Sequence, residues 1–305
     1  MNSIESYGYE RKCAARLLCL VILALVSCTL LGRPANAQDA GNAKASACVS
    51  PAMAQLLARE GNSIRVSAGN APAATQAGEH DNEKGIAAAQ APESLRTLQR
   101  ARDWFEKGAR RGYAPAQVNL AVATLAGWGA PPNAASALYW LREAAHQGYA
   151  LAYYDLGVLY MKGCGVRQDY AEAFRFFEQG ANADNSAAQM NLGYLYDQGL
   201  GVAQDRVAAA VWYRKAAEAG VVQAQFNLAD LYARGEGVSR SNSLAFAWFQ
   251  VAAQQGDNRA KEMLRALAPH LNAAELAEAQ ALSRLLVSSA APSAQVAMVQ
   301  RGNHR

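Results

Sequence analysis

Residues 188–220 read AQMNLGYLYDQGLGVAQDRVAAAVWYRKAAEAG, and this stretch contains the pattern that decides the fold. Two runs with apolar residues at three- and four-residue spacing flank the glycine pair Gly199 and Gly201, which is the spacing of an amphipathic helix. Glycine tolerates the left-handed backbone conformation needed just past a helix C-terminus. The stretch therefore predicts two α-helices joined by a short glycine-containing turn.

The same pattern returns every 36 residues along the chain. Large aromatic side chains keep this step at Trp104, Trp140, Phe176, Trp212 and Trp248. Leucine and alanine columns keep it as well, and several columns with one period indicate a repeat protein. A helix pair this short cannot bury its apolar face alone, so neighbouring pairs must stack into a superhelix. We therefore predict an all-α solenoid of 36-residue helix-turn-helix repeats, with the aromatic column in its core.

One copy of the repeat shows where its helices should begin and end. The first helix is predicted at 150–162 and ends at Gly163. The second is predicted at about 169–181, with Asp169 as the N-cap because a short polar side chain can accept hydrogen bonds from the first free backbone N–H groups. The glycine pairs are interpreted as turns and not as phosphate-binding loops, because no strand precedes them.

The flanks of the repeat array differ from it in composition. Residues 38–94 are rich in Ala, Gly, Asn and Ser and are expected to be flexible, since they offer little apolar surface to offset their ordering entropy. Residues 51–60 are an exception that could form a short docking helix. The predicted organisation is a signal peptide at 1–37, a low-complexity flexible segment at 38–94, the solenoid at 95–267, a C-terminal capping helix at 268–288 and a disordered tail at 289–305.

The N-terminus has the features of an export signal. Basic residues precede an apolar run at 17–31, and the triplet Ala35-Asn36-Ala37 is typical of a cleavage site. Cleavage after Ala37 predicts a periplasmic or secreted protein without a transmembrane span in the mature chain, since no later segment is a transmembrane candidate. The apolar run at 17–31 is shorter than the roughly 20 residues that cross a bilayer, which argues against an uncleaved anchor. The alternatives are a lipoprotein anchored at Cys28, which follows small residues, or an uncleaved anchor.

Charge and cysteine content exclude some classes of function and leave others open. The formal net charge is +4, and about +2 of it remains after residue 37, so no strong basic patch for nucleic acid is expected. A chain cut after Ala37 keeps only Cys48 and Cys164, which is not a disulfide framework. These two cysteines could form a bond in an oxidising compartment, or they could be two unrelated thiols.

No catalytic, cofactor-binding or metal-binding residues are predicted. The four histidines are scattered without a partner at metal-ligand spacing, and Cys164 has no neighbouring base in sequence that would activate it as a nucleophile. The four histidines are His80, His146, His270 and His304. The chain is therefore predicted not to be an enzyme.

The phrases at 188–196, 199–202 and 212–220 closely resemble the Sel1-like repeat family, a branch of the tetratricopeptide-repeat superfamily. The resemblance covers about 98–265. It implies a right-handed α/α solenoid that acts as an adaptor, often exported in bacteria and linked to envelope assembly, polysaccharide secretion, signalling or host interaction. A cysteine-rich branch of the family has been associated with β-lactam binding or hydrolysis, but this chain lacks the cysteine pairs of that branch.

The candidate binding surface is a set of columns on the first helices that point away from the paired second helices. Polar groups of both signs beside an exposed tyrosine suit a peptide or protein contact, although a plain solvated face would look similar. The columns contain Asp155, Val158, Lys162, Asn191, Tyr194, Gln198, Asn227, Asp230 and Arg234.

Three functions from different classes are compatible with these observations. The favoured one is an exported non-catalytic scaffold that binds a protein or peptide partner in a helical-repeat groove. The first alternative is an envelope factor associated with polysaccharide or peptidoglycan, with a lipoprotein anchored at Cys28 as one form of it. The second is a hydrolase of the β-lactamase-like repeat branch, for which the required constellation of residues is missing from the sequence.

Overall fold

The computed structural model describes residues 73–91 and 94–302, and these residues form α-helices and turns without a strand. Glycine-containing turns separate most of the helices, as the repeat pattern predicts. The helices are α1 (Ala73–Gln90), α2 (Leu95–Arg110), α3 (Ala114–Ala126), α4 (Ala134–His146), α5 (Ala150–Lys162), α6 (Tyr170–Asn182), α7 (Ser186–Gln198), α8 (Arg206–Glu218), α9 (Val222–Arg234), α10 (Asn242–Gln254), α11 (Asn258–Leu267) and α12 (Ala273–Gly302), with a 3₁₀ turn at Ala268–His270.

The helix ends confirm the predicted repeat boundaries. Helix α5 begins and ends at the predicted residues, and α6 begins directly after Asp169, whose carboxylate accepts hydrogen bonds from the backbone N–H groups of Ala171 and Glu172. Asp205 and Ser241 cap α8 and α10 in the same way. Capping side chains at a constant position in each repeat fix where each second helix starts.

The two glycines of each turn have different tasks. The first, such as Gly199 with φ of 66°, is the left-handed C-cap of a first helix. The second, such as Gly201 with φ of 72°, lies where an added Cβ would overlap the backbone carbonyl of Tyr170 in the preceding repeat. Gly237 meets the carbonyl of Arg206 in the same way. The second glycine is therefore a point of close contact between neighbouring repeats, as well as part of a turn.

The core runs continuously through the stacked repeats. Leu156, Leu192 and Leu228 from the first helices are buried, and Phe177 and Phe249 from the second helices are fully buried against them. The consecutive helices from α2 to α11 pack against one another in order along the chain. This arrangement is an α-solenoid, the fold class that the 36-residue period predicts.

The aromatic column is only partly in the core. Phe176 and Trp248 are buried, with 7% and 5% exposure. Trp104, Trp140 and Trp212 are half-buried. Cations cover the outer faces of two of them: Lys84 and Lys107 lie 4.5 and 4.0 Å from the Trp104 ring centroid, and Lys215 lies 4.2 Å from that of Trp212.

The expectation that residues 38–94 are flexible is wrong for the part described. Residues 73–90 form helix α1, which packs along α2 and touches α3. The contact is close because an added Cβ at Gly78 would lie only 2.7 Å from the Cβ of Tyr113. Asp81 is buried and pairs with Arg111 at 2.9 Å. Small residues and these polar contacts hold α1 in place with Ile86 as its main apolar anchor, so its low apolar content misled the composition argument.

The C-terminal helix covers the second helix of the last repeat. Ser243 and Ala247 of α10 are buried beneath α12, whose Ala279 and Ser283 are themselves buried. Helix α12 continues to Gly302, whereas the sequence predicts a capping helix at 268–288 and a disordered tail from 289. The N-terminal export signal and residues 51–60 lie outside the described residues.

The helices form two rows, and the described residues belong to one compact unit. The first helices α1 and α3 contact each other directly across the stack, as do α5 and α7. At these two steps of the stack the first helices therefore come closer to one another than the second helices of the same repeats do. Among the helices described, none is long and apolar enough to cross a bilayer.

Candidate partner-binding surface

The nine predicted residues occupy equivalent positions on three first helices. Each of α5, α7 and α9 contributes its sixth, ninth and thirteenth residue, because the columns follow the 36-residue period. We call the surface formed by the first helices α5, α7 and α9 the inner face. The columns are Asp155, Asn191 and Asn227, then Val158, Tyr194 and Asp230, then Lys162, Gln198 and Arg234.

These residues lie at different depths of the inner face. Lys162, Gln198 and Arg234 are exposed, as is Tyr194 with 40% of its surface accessible. Asn227 and Asp230 are half-buried. Three members are buried: Asp155, Val158 and Asn191. The α7 and α9 part of the inner face is therefore accessible, whereas much of the α5 part lies beneath the surface.

Val158 and Asp155 are both buried at the α5 end of the inner face, with different consequences for packing and for protonation. Val158 belongs to the same apolar cluster as Phe177 and Leu192, so it packs between repeats. Asp155 is 5% exposed, and its Oδ2 atom has no hydrogen-bond partner. Burial away from water disfavours the carboxylate and raises the pKa of Asp155 to about 7. Asp155 is consequently a carboxyl group that holds its proton up to near-neutral pH.

Tyr149, beside Asp155, is affected by the same environment. Burial raises the pKa of Tyr149 to about 12, and Tyr113 and Asp155 add to the rise through their negative charge. No cation contributes to the pKa of Asp155. The α5 end of the inner face therefore contains an uncompensated acidic group.

The structure brings three predicted residues together at the α7–α9 junction. Tyr194, Asn227 and Asp230 all lie near the hydroxyl group of Tyr213, which comes from the second helix α8. We call these four residues the Tyr213 cluster. The Asn227 amide is close enough to interact with the hydroxyl, but the hydroxyl completes no hydrogen bond. The cluster therefore has an unused donor and acceptor at its base.

Burial and nearby negative charge both act on Tyr213. Its side chain is 1% exposed. Burial raises the pKa of Tyr213 strongly, and Asp197, Tyr194 and Asp230 raise it further. The phenol therefore stays protonated and can donate a hydrogen bond as well as accept one.

Carboxylates lie deeper than guanidinium groups around the Tyr213 cluster. Asp230 pairs with Arg234 at 3.0 Å, and their side chains are 26% and 61% exposed. Arg206 bridges Asp197 at 3.6 Å and Glu236 at 3.2 Å. Burial still raises the pKa of Asp230 despite the opposing effect of Arg234. Negative charge at this site is thus incompletely compensated.

Sequence reasoning missed Tyr213 and Asp197 as members of this region. Comparing the repeats with one another would have indicated Tyr213, because the equivalent positions hold the apolar side chains of Leu141, Phe177 and Phe249. Only at 213 does the column carry a hydroxyl. An added Cβ at Gly193 would lie 2.7 Å from the Tyr213 ring, so this glycine gives the ring its space.

The opposite, second-helix row has exposed apolar residues of its own. Tyr139 on α4 is 55% exposed, and Val207 and Val211 on α8 are 62% and 47% exposed. Tyr139 therefore provides a matched exposed tyrosine against which Tyr194 can be tested.

The repeat sequence itself decides the family. The sequence profile of the Sel1 repeat matches residues 98–113, 114–149, 150–185, 186–221 and 222–257, without a gap and over just more than half of the chain. The chain belongs to the Sel1 repeat family. Sel1 repeat proteins generally mediate protein–protein interactions and are typically non-catalytic.

Solved Sel1 repeat structures resemble this chain over most of its length. A protective antigen from uropathogenic Escherichia coli strains that displays an SLR fold is 30% identical, with a TM-score of 0.60, and the match covers 79% of this chain and 48% of that protein. A Sel1 repeat protein from Oxalobacter formigenes is 32% identical, with a TM-score of 0.59, over 64% of this chain and 57% of that protein. The chain thus spans about half the length of these solved proteins. None of the curated proteins matches it.

The described residues include one cysteine, Cys164, and no group suited to bind a metal ion. Cys164 is fully buried in the turn after α5 and is disulfide-bonded. Cys48 lies outside the described residues, so a bond between Cys48 and Cys164 stays a prediction. Within the described ranges, His, Cys, Asp and Glu residues form no group of three or more that could hold a metal ion.

Proposed function

We propose that this Sel1 repeat protein is an exported, non-catalytic scaffold that binds a protein partner on its inner face. The observation that carries the proposal is the Tyr213 cluster, where an exposed tyrosine and half-buried polar groups surround an unused hydroxyl. Aromatic anchors next to desolvated polar groups are typical of the energetic centre of protein interfaces. Membership of a family that mediates protein–protein interactions supports the same function.

The inner face suits a macromolecular partner because polar and aromatic side chains continue along it from α7 to α9. Tyr194, Gln198 and Arg234 offer an exposed rim, and Asn227 and Asp230 lie between them. Rim residues that exclude water around a few deep contacts strengthen such an interface. A partner segment lying across the two helices would contact all five.

Export is the second part of the proposal, and the sequence of the N-terminus supports it. Cleavage after Ala37 would deliver the protein to the periplasm or the medium. Mass spectrometry of the mature protein is expected to find Gln38 as the first residue. A lipid-modified N-terminus at Cys28 would instead favour an anchored protein, and an intact Met1 in the mature protein would contradict cleavage after Ala37.

Partner binding can be tested with variants of exposed residues, which should leave the fold unchanged. The combined Lys162→Ala, Tyr194→Ala and Gln198→Ala variant is expected to lose a bound protein that the wild type recovers from native cell extract. Truncation of interface hot spots typically costs 2 kcal/mol or more, roughly a thirty-fold loss of affinity. Quantitative mass spectrometry of the recovered proteins measures the loss.

The matched control changes exposed residues of the second-helix row, namely Tyr139→Ala with Val211→Ala. This control should recover the partner as the wild type does, and both variants should keep the helical circular dichroism of the wild type. Equal recovery by the inner-face variant and the wild type would contradict the proposed surface. Loss of the partner in the control alone would place binding on the second-helix row.

A further inference from the structure

The chemistry of the Tyr213 cluster restricts what the partner can offer to it. Tyr194 presents an exposed ring, Asp230 a partly desolvated carboxylate and Tyr213 a buried hydroxyl without a partner. The oxygen of that hydroxyl can accept a hydrogen bond, and so can the carboxylate. A ligand that satisfies both must donate hydrogen bonds.

The balance of charge indicates that the ligand is a cation. The side chain of Asp230 is less than half as exposed as that of its partner Arg234, and Asp197 is less exposed than Arg206. The guanidinium groups thus lie at the rim while the carboxylates lie within. An anion would meet these carboxylates, whereas a cation would pair with Asp230 and lie against the Tyr194 ring.

The repeats provide an internal control for this interpretation. Positions equivalent to Tyr213 hold Leu141, Phe177 and Phe249, which are buried without any polar atom. The core of a repeat therefore does not require a hydroxyl at this position. Burying one without a hydrogen bond is destabilising, and a bound ligand able to bond with it would remove that cost.

We propose that Tyr194, Tyr213, Asn227 and Asp230 form a subsite for a lysine or arginine side chain of the bound partner. The inference rests on the proposed function, since it names the chemistry that the inner face recognises. The cationic group pairs with the Asp230 carboxylate and donates a hydrogen bond to the Tyr213 hydroxyl. The Tyr194 ring covers its outer side, and the Asn227 amide lies beside the Tyr213 hydroxyl.

The probe is a blocked five-residue peptide with one central arginine, titrated into the full mature chain. Matched peptides carry citrulline, which keeps the shape without the charge, or glutamate at the central position. Backbone amide shifts in nuclear magnetic resonance report both the site and the dissociation constant. We expect shifts centred on residues 194, 227 and 230 and about five-fold tighter binding of the arginine peptide than of the citrulline peptide, the scale of one partly exposed ion pair.

Variants separate the subsite from general surface attraction. Asp230→Asn should abolish the preference for arginine over citrulline, and Tyr213→Phe should weaken arginine binding about three-fold while keeping the fold, since phenylalanine fills the equivalent positions. The control Tyr139→Ala should change neither. Equal binding of the arginine and citrulline peptides, preference for glutamate, or arginine binding that is indifferent to both subsite variants would overturn the subsite.

The outcome for the subsite is separable from that for the proposed function. A partner that depends on Lys162, Tyr194 and Gln198 but contacts the cluster without a basic residue would sustain the scaffold function and overturn this inference. If the peptides reveal an arginine-specific subsite but the variant of Lys162, Tyr194 and Gln198 retains its partner, the subsite would stand and the proposed scaffold function would be overturned.

Discussion

Replacing Asp155 with asparagine is expected to stabilise the folded protein above pH 7 and to leave it almost unchanged near pH 4. The pKa of Asp155 is raised from an ordinary value of 3.8 to about 7 by burial. Between these two values the folded state holds a proton that the unfolded state has released, so the stability of the wild type falls as pH rises. Above pH 7 the folded protein contains a buried carboxylate without a partner.

The size of the effect follows from the shift. Each pKa unit corresponds to roughly 1.4 kcal/mol, so the penalty approaches about 4 kcal/mol as an upper bound above pH 7. Asparagine has nearly the same shape and already occupies the equivalent, buried positions 119 and 191. Urea unfolding at pH 4.5, 6 and 8 measures the difference between the two proteins.

An exposed aspartate serves as the control for Asp155. Asp103 on α2 is exposed, and Asp103→Asn controls for the removal of a carboxyl group that is not buried. If Asp155→Asn shows the same dependence of stability on pH as the wild type, then Asp155 does not carry a proton in the folded state at neutral pH.

Gly201→Ala is expected to destabilise the solenoid far more than Gly220→Ala. Both glycines have positive φ, 72° and 90°, so alanine is strained at either position, by about 1–2 kcal/mol. At Gly220 an added Cβ meets nothing within 4 Å. At Gly201 it would overlap the backbone carbonyl of Tyr170, and relief requires movement of helix α6. Overpacking of this kind adds roughly 1–3 kcal/mol.

Equilibrium unfolding in guanidinium chloride measures this difference. The Gly201 variant should have the lower midpoint, and because the contact joins neighbouring repeats, its transition is also expected to broaden as the coupling between repeats weakens. Equal midpoints for the two variants would show that the close approach between repeats contributes no more than the turn itself.

Much of the fold could be predicted because the residues that recur every 36 positions determine local structure, above all where each helix begins and ends. Asp169 and Gly163 fix helix ends through the capping groups of the backbone, which act within a few residues of the chain. The register between repeats follows once each unit must stack on the next. The 36-residue period therefore predicted both the elements and their order.

Helix α1 could not be predicted in this way because its stability depends on fit and not on apolar content. Gly78 permits a close approach to Tyr113, and Asp81 and Asn82 bond with Arg111 and Asn119 of later helices. The two hydrogen bonds join residues 30 and 37 positions apart, and neither periodicity nor composition indicates them. The low hydrophobicity of the segment was a poor guide to its order.

The candidate surface was predictable as a set of columns but not in its depth. Tyr194 is exposed as expected, while Asp155, in a column also expected to face outward, is buried. The exposure of the side chains in a column depends on the curvature of the stack and on how the next repeat covers them. Tyr213 is buried like Phe177 and Phe249 at the equivalent positions, and its hydroxyl was not foreseen as part of the site; Gly193 leaves room for its ring.

Site-specific photocrosslinking tests most directly whether the inner face binds a protein. A benzophenone side chain replaces Tyr194 in one variant and Tyr139 in another, so that both probes start from an exposed tyrosine. Illumination of intact cells that express the protein is expected to give one discrete protein adduct from position 194 and none from position 139. A discrete adduct from position 139, with none from position 194, would contradict the inner face as the partner-binding surface.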